Sequence, residues 1–132
     1  MLRPVRRLLL AAIVLIAGCG GGPSDSEQVH ATVVAFGKAT AAKDYQRLCD
    51  SILSPDLIAK LEQVGLPCEV ALKQGLGDVK APTITIGRVE VDGDSATAEV
   101  NSTAQGQQPS QDKLKLQRVN GKWRIASLAD AE

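Results

Sequence analysis

The hydrophobic period of this chain changes once, at Pro82, and that change limits the folds open to it. Before Pro82 the apolar residues recur at helical spacing, and after it they alternate with polar ones. Ser24 and Glu27 have the spacing of a capping box, and Val29, Val33, Phe36 and Thr40 follow on one face of a first helix. Asp44 is placed to cap a second helix, with Tyr45, Leu48, Cys49, Ile52 and Leu53 on its apolar face. Ser54 and Pro55 stop that helix and start a third as N-cap and first residue. In the third, Leu57, Ile58, Leu61 and Val64 face inward before Gly65 ends it. Pro67 opens a short fourth helix with Cys68, Ala71, Leu72 and Leu76 inward.

Beyond Pro82 the pattern is that of strands. Residues 83–91 read as one strand whose phase slips near Gly87, the mark of a bulge. Ala96, Ala98 and Val100 carry the next strand. A turn at Asp92-Gly93 sets Asp94 opposite Val91 on the apolar face. A turn at Gly93-Asp94 instead pairs Val91 with Ala96 and Val89 with Ala98, and is preferred. Residues 104–111 form a polar loop. Leu114 and Leu116 resume the alternation, and Asn120-Gly121 is a type I′ hairpin signal. That hairpin pairs Leu116 with Ile125 and sets Arg118 beside Trp123, within reach of a cation–π contact. Helices followed by four antiparallel strands predict an α+β fold in which a curved sheet wraps on the helices.

The first 18 residues read as an address. Arg3, Arg6 and Arg7 precede a ten-residue apolar run, Leu8 to Ala17, and Gly18-Cys19 follows. Ten residues span about 15 Å as helix, half of a bilayer core, so the run reads as a signal peptide rather than a permanent span. Ile16 sits poorly three residues before an ordinary signal-peptidase cut. Ile16-Ala17-Gly18-Cys19 instead resembles the bacterial lipobox: aliphatic, small, small, Cys. The resemblance implies a diacylglycerol on the Cys19 thiol and cleavage that leaves the modified, fatty-acylated (palmitate-type) cysteine as the new N-terminus. Several acyl chains at roughly 0.8 kcal/mol per buried CH₂ make a lasting anchor. The predicted organisation is a signal peptide over 1–18, a flexible tether over 19–25 and a domain over 26–132. The predicted location is the extracytoplasmic face of a cell membrane.

Charge and cysteine counts change with that cleavage. The whole chain balances 15 Lys+Arg against 15 Asp+Glu. Losing the three N-terminal arginines leaves 12 basic against 15 acidic side chains, so no electrostatic case for nucleic acid exists. Of three cysteines, Cys19 takes the lipid and Cys49 and Cys68 remain. In an oxidising compartment they pair as one structural disulfide stapling the second helix to the fourth. The alternatives are two free thiols or a redox or metal site. Their spacing is not C-x-x-C, and no second cysteine pair or histidine cluster supplies a zinc shell.

The order of features resembles the NTF2-like (nuclear transport factor 2-like) superfamily. Val33-x-x-Phe36-x-x-Ala39, Lys43-Asp44-Tyr45-x-x-Leu48-Cys49, Cys68, the hairpin Val89 to Ala98 and the ending Asn120 to Ile125 carry the resemblance. Together they span residues 26 to 128. The resemblance implies a cone in which helices fill a curved antiparallel sheet, often with a pocket at the wide end. It implies nothing about activity, because the superfamily holds isomerases, dehydratases, cyclases, ligand carriers and silent domains.

Enzymes of that superfamily commonly set an Asp or His base and a Tyr or protonated Asp donor inside an apolar pocket. Here His30 is the one histidine and falls in the first turns of the first helix, as an exposed residue. Tyr45, the one tyrosine, is expected in the core with its hydroxyl partnered. Asp44 is explained as a helix cap. No catalytic residue, metal site or cofactor site is predicted: phosphate- and dinucleotide-binding glycine patterns are absent, and Glu90, Asp92 and Asp94 lack the calcium-loop pattern. Phe36, Tyr45 and Trp123 are the candidates to line a cavity.

The expectation is therefore a lipid-anchored, non-catalytic domain that binds a small ligand or a protein partner at the cell envelope. A homodimer through the open sheet is a further expectation. An isomerase- or cyclase-type enzyme and a purely structural envelope lipoprotein are the alternatives.

Overall fold

A computed structural model of the chain describes residues 21–128. Helix α1 (Asp25–Ala41) opens on the capping box: the Ser24 side chain accepts from the Glu27 N–H, and the Glu27 carboxylate accepts from the Ser24 N–H. Val29, Val33, Phe36 and Ala39 form its buried stripe. The chain reverses through Lys43 at a left-handed φ of 54°, and its ammonium donates to the Gly77 carbonyl at 2.6 Å.

The second helix departs from the sequence expectation. Asp44 caps it by accepting from the Arg47 N–H, but only one α-helical turn follows, α2 (Tyr45–Arg47). The chain then widens into a π-helical turn, Leu48–Ile52, closed by the Leu53 N–H on the Leu48 carbonyl at 2.8 Å. Leu48, Ile52 and Leu53 are all buried on and just after this i→i+5 turn. Leu53 then bridges to Ile125, and the buried Ser54 donates its N–H to the Ile125 carbonyl at 2.8 Å while its hydroxyl caps the next helix. Helix α3 (Pro55–Glu62) is shorter than predicted. Its last residue precedes Val64, which is 71% exposed rather than inward, because Gly65 at φ 83° unwinds the last turn first. Helix α4 (Cys68–Leu76) buries Cys68 and Leu72, with Ala71 and Leu76 half-buried.

The strands follow in a meander, β1 (Thr83–Asp92), β2 (Ser95–Thr103), β3 (Ser110–Val119) and β4 (Lys122–Ser127), all antiparallel. Val91 faces Ala96 and Val89 faces Ala98, as the Gly93-Asp94 turn requires, and the register slips between Ile86 and Val89 around Gly87. Asn120 and Gly121 take φ of 51° and 76°, the pair of left-handed residues that a type I′ turn needs. Leu116 then faces Ile125 and Arg118 faces Trp123. The polar loop is two residues shorter than its composition predicts, because Ser110 and Gln111 pair with Ser102 and Asn101. Backbone pairing outruns the apolar alternation there.

One core joins the layers. Val29, Val33 and Phe36 from α1 meet Leu48, Ile52 and Leu53, Cys68 and Leu72, and the inner sheet residues Ala98, Leu114, Leu116, Trp123 and Ile125. The small, buried Ala96 and Ala98 lie on β2, one of the two inner strands. The architecture is α+β, with the helices on the concave face of a four-stranded sheet.

A candidate ligand groove beside the disulfide

The π-helical turn, α3 and the β3–β4 turn enclose a groove of about 350 Å³, broadly open to solvent. Its floor is apolar: Leu53, Pro55, Ile58, Ala59 and Val119. Cys49, half-buried on the π-helical turn, forms part of one wall and is bonded to Cys68 on α4. The bridge spans 19 residues and ties the two helices as the sequence expected. A single α-helix through residues 45–53 would rotate Cys49 and Asp50 relative to the core, so the widened turn helps shape this wall.

Three charges line the groove: Asp50, Glu62 and Arg124. Arg124 is half-buried on the outer side of β4 and donates from its guanidinium to the Asp50 carbonyl at 3.2 Å. Among the described residues no carboxylate lies within ion-pair distance of Arg124, although two share its groove. Sequence reasoning missed Asp50, Glu62 and Arg124. Nothing marks them, because an exposed charge on a helix or an outward strand position reads as ordinary solvated surface.

A second groove of about 330 Å³ lies between the start of α1 and the β1 bulge, lined by Ser26, Glu27, His30, Gly87 and Val89. His30 is exposed there, as expected. Glu27 is held below the usual glutamate range, chiefly by the Ser24 N–H and then by the Ser24 side chain, against a slight opposing effect of burial. That shift belongs to a helix cap and needs no catalytic explanation.

Phe36, Tyr45 and Trp123 border neither groove. Phe36 and Trp123 are core residues, and Tyr45 packs half-buried against the core cluster. Among the described residues the buried Tyr45 hydroxyl has no hydrogen-bond partner, contrary to the expectation that the core would supply one, and neither has the Trp123 indole N–H. Cys19 lies outside the described residues. Among the described residues no group of three His, Cys, Asp or Glu is placed to hold a metal ion, and no helix is long and apolar enough to cross a membrane. The outer face of the sheet is polar, with Thr85, Glu90, Thr97, Glu99, Asn101, Lys113, Lys115 and Gln117 in alternation.

This arrangement has counterparts among solved structures. A de novo designed NTF2-fold protein superposes with a TM-score of 0.55 at 18% identity, over 83% of this chain and 89% of the other. An NTF2-like protein of unknown function from Silicibacter pomeroyi gives 0.53 at 19% identity, over 76% and 88%. The fold is NTF2-like. A protein from Streptomyces avermitilis, provisionally named a dehydratase of the NTF2-like family, superposes at 0.51 with 22% identity, over 76% and 90%. No family profile and no curated sequence matches the chain. At these identities the NTF2-like likeness is one of fold, and function has to be argued from the site.

Proposed function

We propose that this chain is a non-catalytic NTF2-like binding domain, held by lipid at the extracytoplasmic face of a cell membrane. The observation that carries the binding reading is the division of polar chemistry between interior and surface. Among the described residues Ser54 is the one buried polar side chain, with no carboxylate or imidazole beside it, whereas Asp50, Glu62 and Arg124 line an open groove. An isomerase or cyclase needs the reverse, a desolvated acid or base beside an apolar substrate pocket.

The anchor reading rests on Leu8 to Ala17 followed by Ile16-Ala17-Gly18-Cys19. Gly20 to Pro23 then lead directly to the Ser24 cap. The polar outer face of the sheet argues against an apolar dimer interface there. One observation favours the enzyme reading: the Tyr45 hydroxyl is buried with no hydrogen-bond partner among the described residues. A half-buried Asp112 also lies on the concave face, with its carboxylate engaged by the Ser110 hydroxyl at 2.8 Å.

Metabolic labelling with palmitate in a bacterial host tests the anchor. The wild-type chain incorporates label and fractionates with membranes, and Cys19→Ala loses both. Label retained by Cys19→Ala, with membrane association unchanged, contradicts the lipid-anchor reading. A Tyr45→Phe change that abolishes turnover of a small carbonyl compound would establish the enzyme reading instead.

A further inference from the structure

The groove beside the disulfide has one positive and two negative side chains over an apolar floor. Arg124 presents five N–H donors in a planar fork. One guanidinium nitrogen is engaged by the Asp50 backbone carbonyl, and among the described residues no carboxylate neutralises the rest. Asp50 and Glu62 face the same space without closing on Arg124, and neither takes part in an ion pair among the described residues.

Those charges restrict what fits. A simple anion can pair with Arg124 but meets two carboxylates. A simple cation satisfies the carboxylates but leaves the Arg124 guanidinium with the Asp50 carbonyl and water. A ligand with both charges satisfies both sets. The half-buried Ile58 and Val119 then leave an apolar surface for a side chain. The volume of about 350 Å³ is at the small end for ligand sites and suits a single small molecule rather than a folded partner.

We propose that this groove binds a zwitterion carrying an apolar side chain, the class of the free aliphatic α-amino acids. The ligand carboxylate pairs with the Arg124 fork, its ammonium meets Asp50 and Glu62, and its side chain covers Ile58 and Val119. The assignment rests on reading the chain as a binding domain and names the ligand class of that site.

The test uses the full oxidised chain, extracted from membranes in detergent, with L-leucine as the probe. Calorimetry is expected to show saturable binding at millimolar concentrations or below. Leucine amide lacks the carboxylate, 4-methylpentanoate lacks the ammonium and glycine lacks the side chain. Each is expected to bind about tenfold more weakly, the usual cost of one charge-assisted contact or one apolar side chain. Arg124→Met is expected to weaken leucine by a similar factor while leaving glycine binding weak. Arg124 also supports the Asp50 carbonyl, so the analogue series on the wild-type protein is decisive without any variant. Failure of leucine to saturate at millimolar concentrations overturns the zwitterion assignment, as does equal affinity for leucine, its amide and 4-methylpentanoate. Neither result bears on the anchor, which the palmitate labelling decides separately.

Discussion

The guanidinium of Arg118 lies 4.8 Å from the ring centroid of Trp123, and one of its nitrogens meets the Asp25 carboxylate at 2.7 Å. The two residues face each other across β3 and β4, and Asp25 belongs to the first turn of α1. One arginine therefore holds the helix to the concave face beside the β3–β4 hairpin. It also contacts Asp94 at 3.7 Å, on the β1–β2 turn. Arg118→Ala is expected to lower stability by about 1–2 kcal/mol, from a cation–π contact plus a partly exposed ion pair. Arg118→Lys recovers only part of that, since an ammonium lacks the planar fork. Urea denaturation reads the effect, and an unchanged midpoint for Arg118→Ala refutes this role.

The capping box gives a pH signature. Glu27 titrates below the usual glutamate range, so its folded-state pKa is lower than in the unfolded chain. Its contribution is fully present above the ordinary glutamate value and is lost as pH falls through the depressed one. An NMR titration of the Glu27 carboxyl should show this lowered midpoint, and Ser24→Ala should move it part of the way back. Ser24→Ala is also expected to cost about 1 kcal/mol as a lost N-cap. A Glu27 midpoint at or above the ordinary value contradicts the reciprocal hydrogen bonding.

The bridge between Cys49 and Cys68 closes a loop of 19 residues in sequence separation, for which chain entropy gives about 3 kcal/mol of stabilisation. The Cys49→Ser, Cys68→Ser double variant should unfold at correspondingly lower urea. Reduction of the wild-type protein should reproduce that shift. Coincident unfolding curves for oxidised and reduced protein contradict a structural role.

Leu48 and Val64 were both expected to face inward, and the structure separates them. Leu48 is fully buried on the π-helical turn, whereas Val64 is 71% exposed. Leu48→Ala is expected to cost about 2–5 kcal/mol, and Val64→Ser to stay within about 0.5 kcal/mol. A large loss at Val64 is incompatible with the early end of α3.

Much of the fold was legible because alternation, turn chemistry and caps point the same way. Gly93-Asp94 and Asn120-Gly121 fixed two hairpin registers, and with them the pairing of Arg118 with Trp123. The π-helical turn was not legible, since a spacing of i, i+4, i+5 fits an α-helix of ordinary amphipathicity and only tertiary packing selects the wider turn. Val64 was misread because a periodic apolar position continues the helical pattern past the residue where Gly65 ends it. The groove was not legible at all. Asp50, Glu62 and Arg124 come from separate elements, and the approach of Arg124 to Asp50 depends on the Leu53–Ile125 bridge, which no local pattern encodes.

The central claim, a disulfide-stapled domain tethered by lipid, is tested most directly by the intact mass of the protein extracted from membranes. The account predicts a 114-residue chain beginning at Cys19, the 132 residues less the first 18. Its mass should be raised by diacylglyceryl and acyl groups that map to Cys19, and lowered by two hydrogens for the bond between Cys49 and Cys68. A chain that still begins at Met1, or one without acyl mass on Cys19, contradicts it.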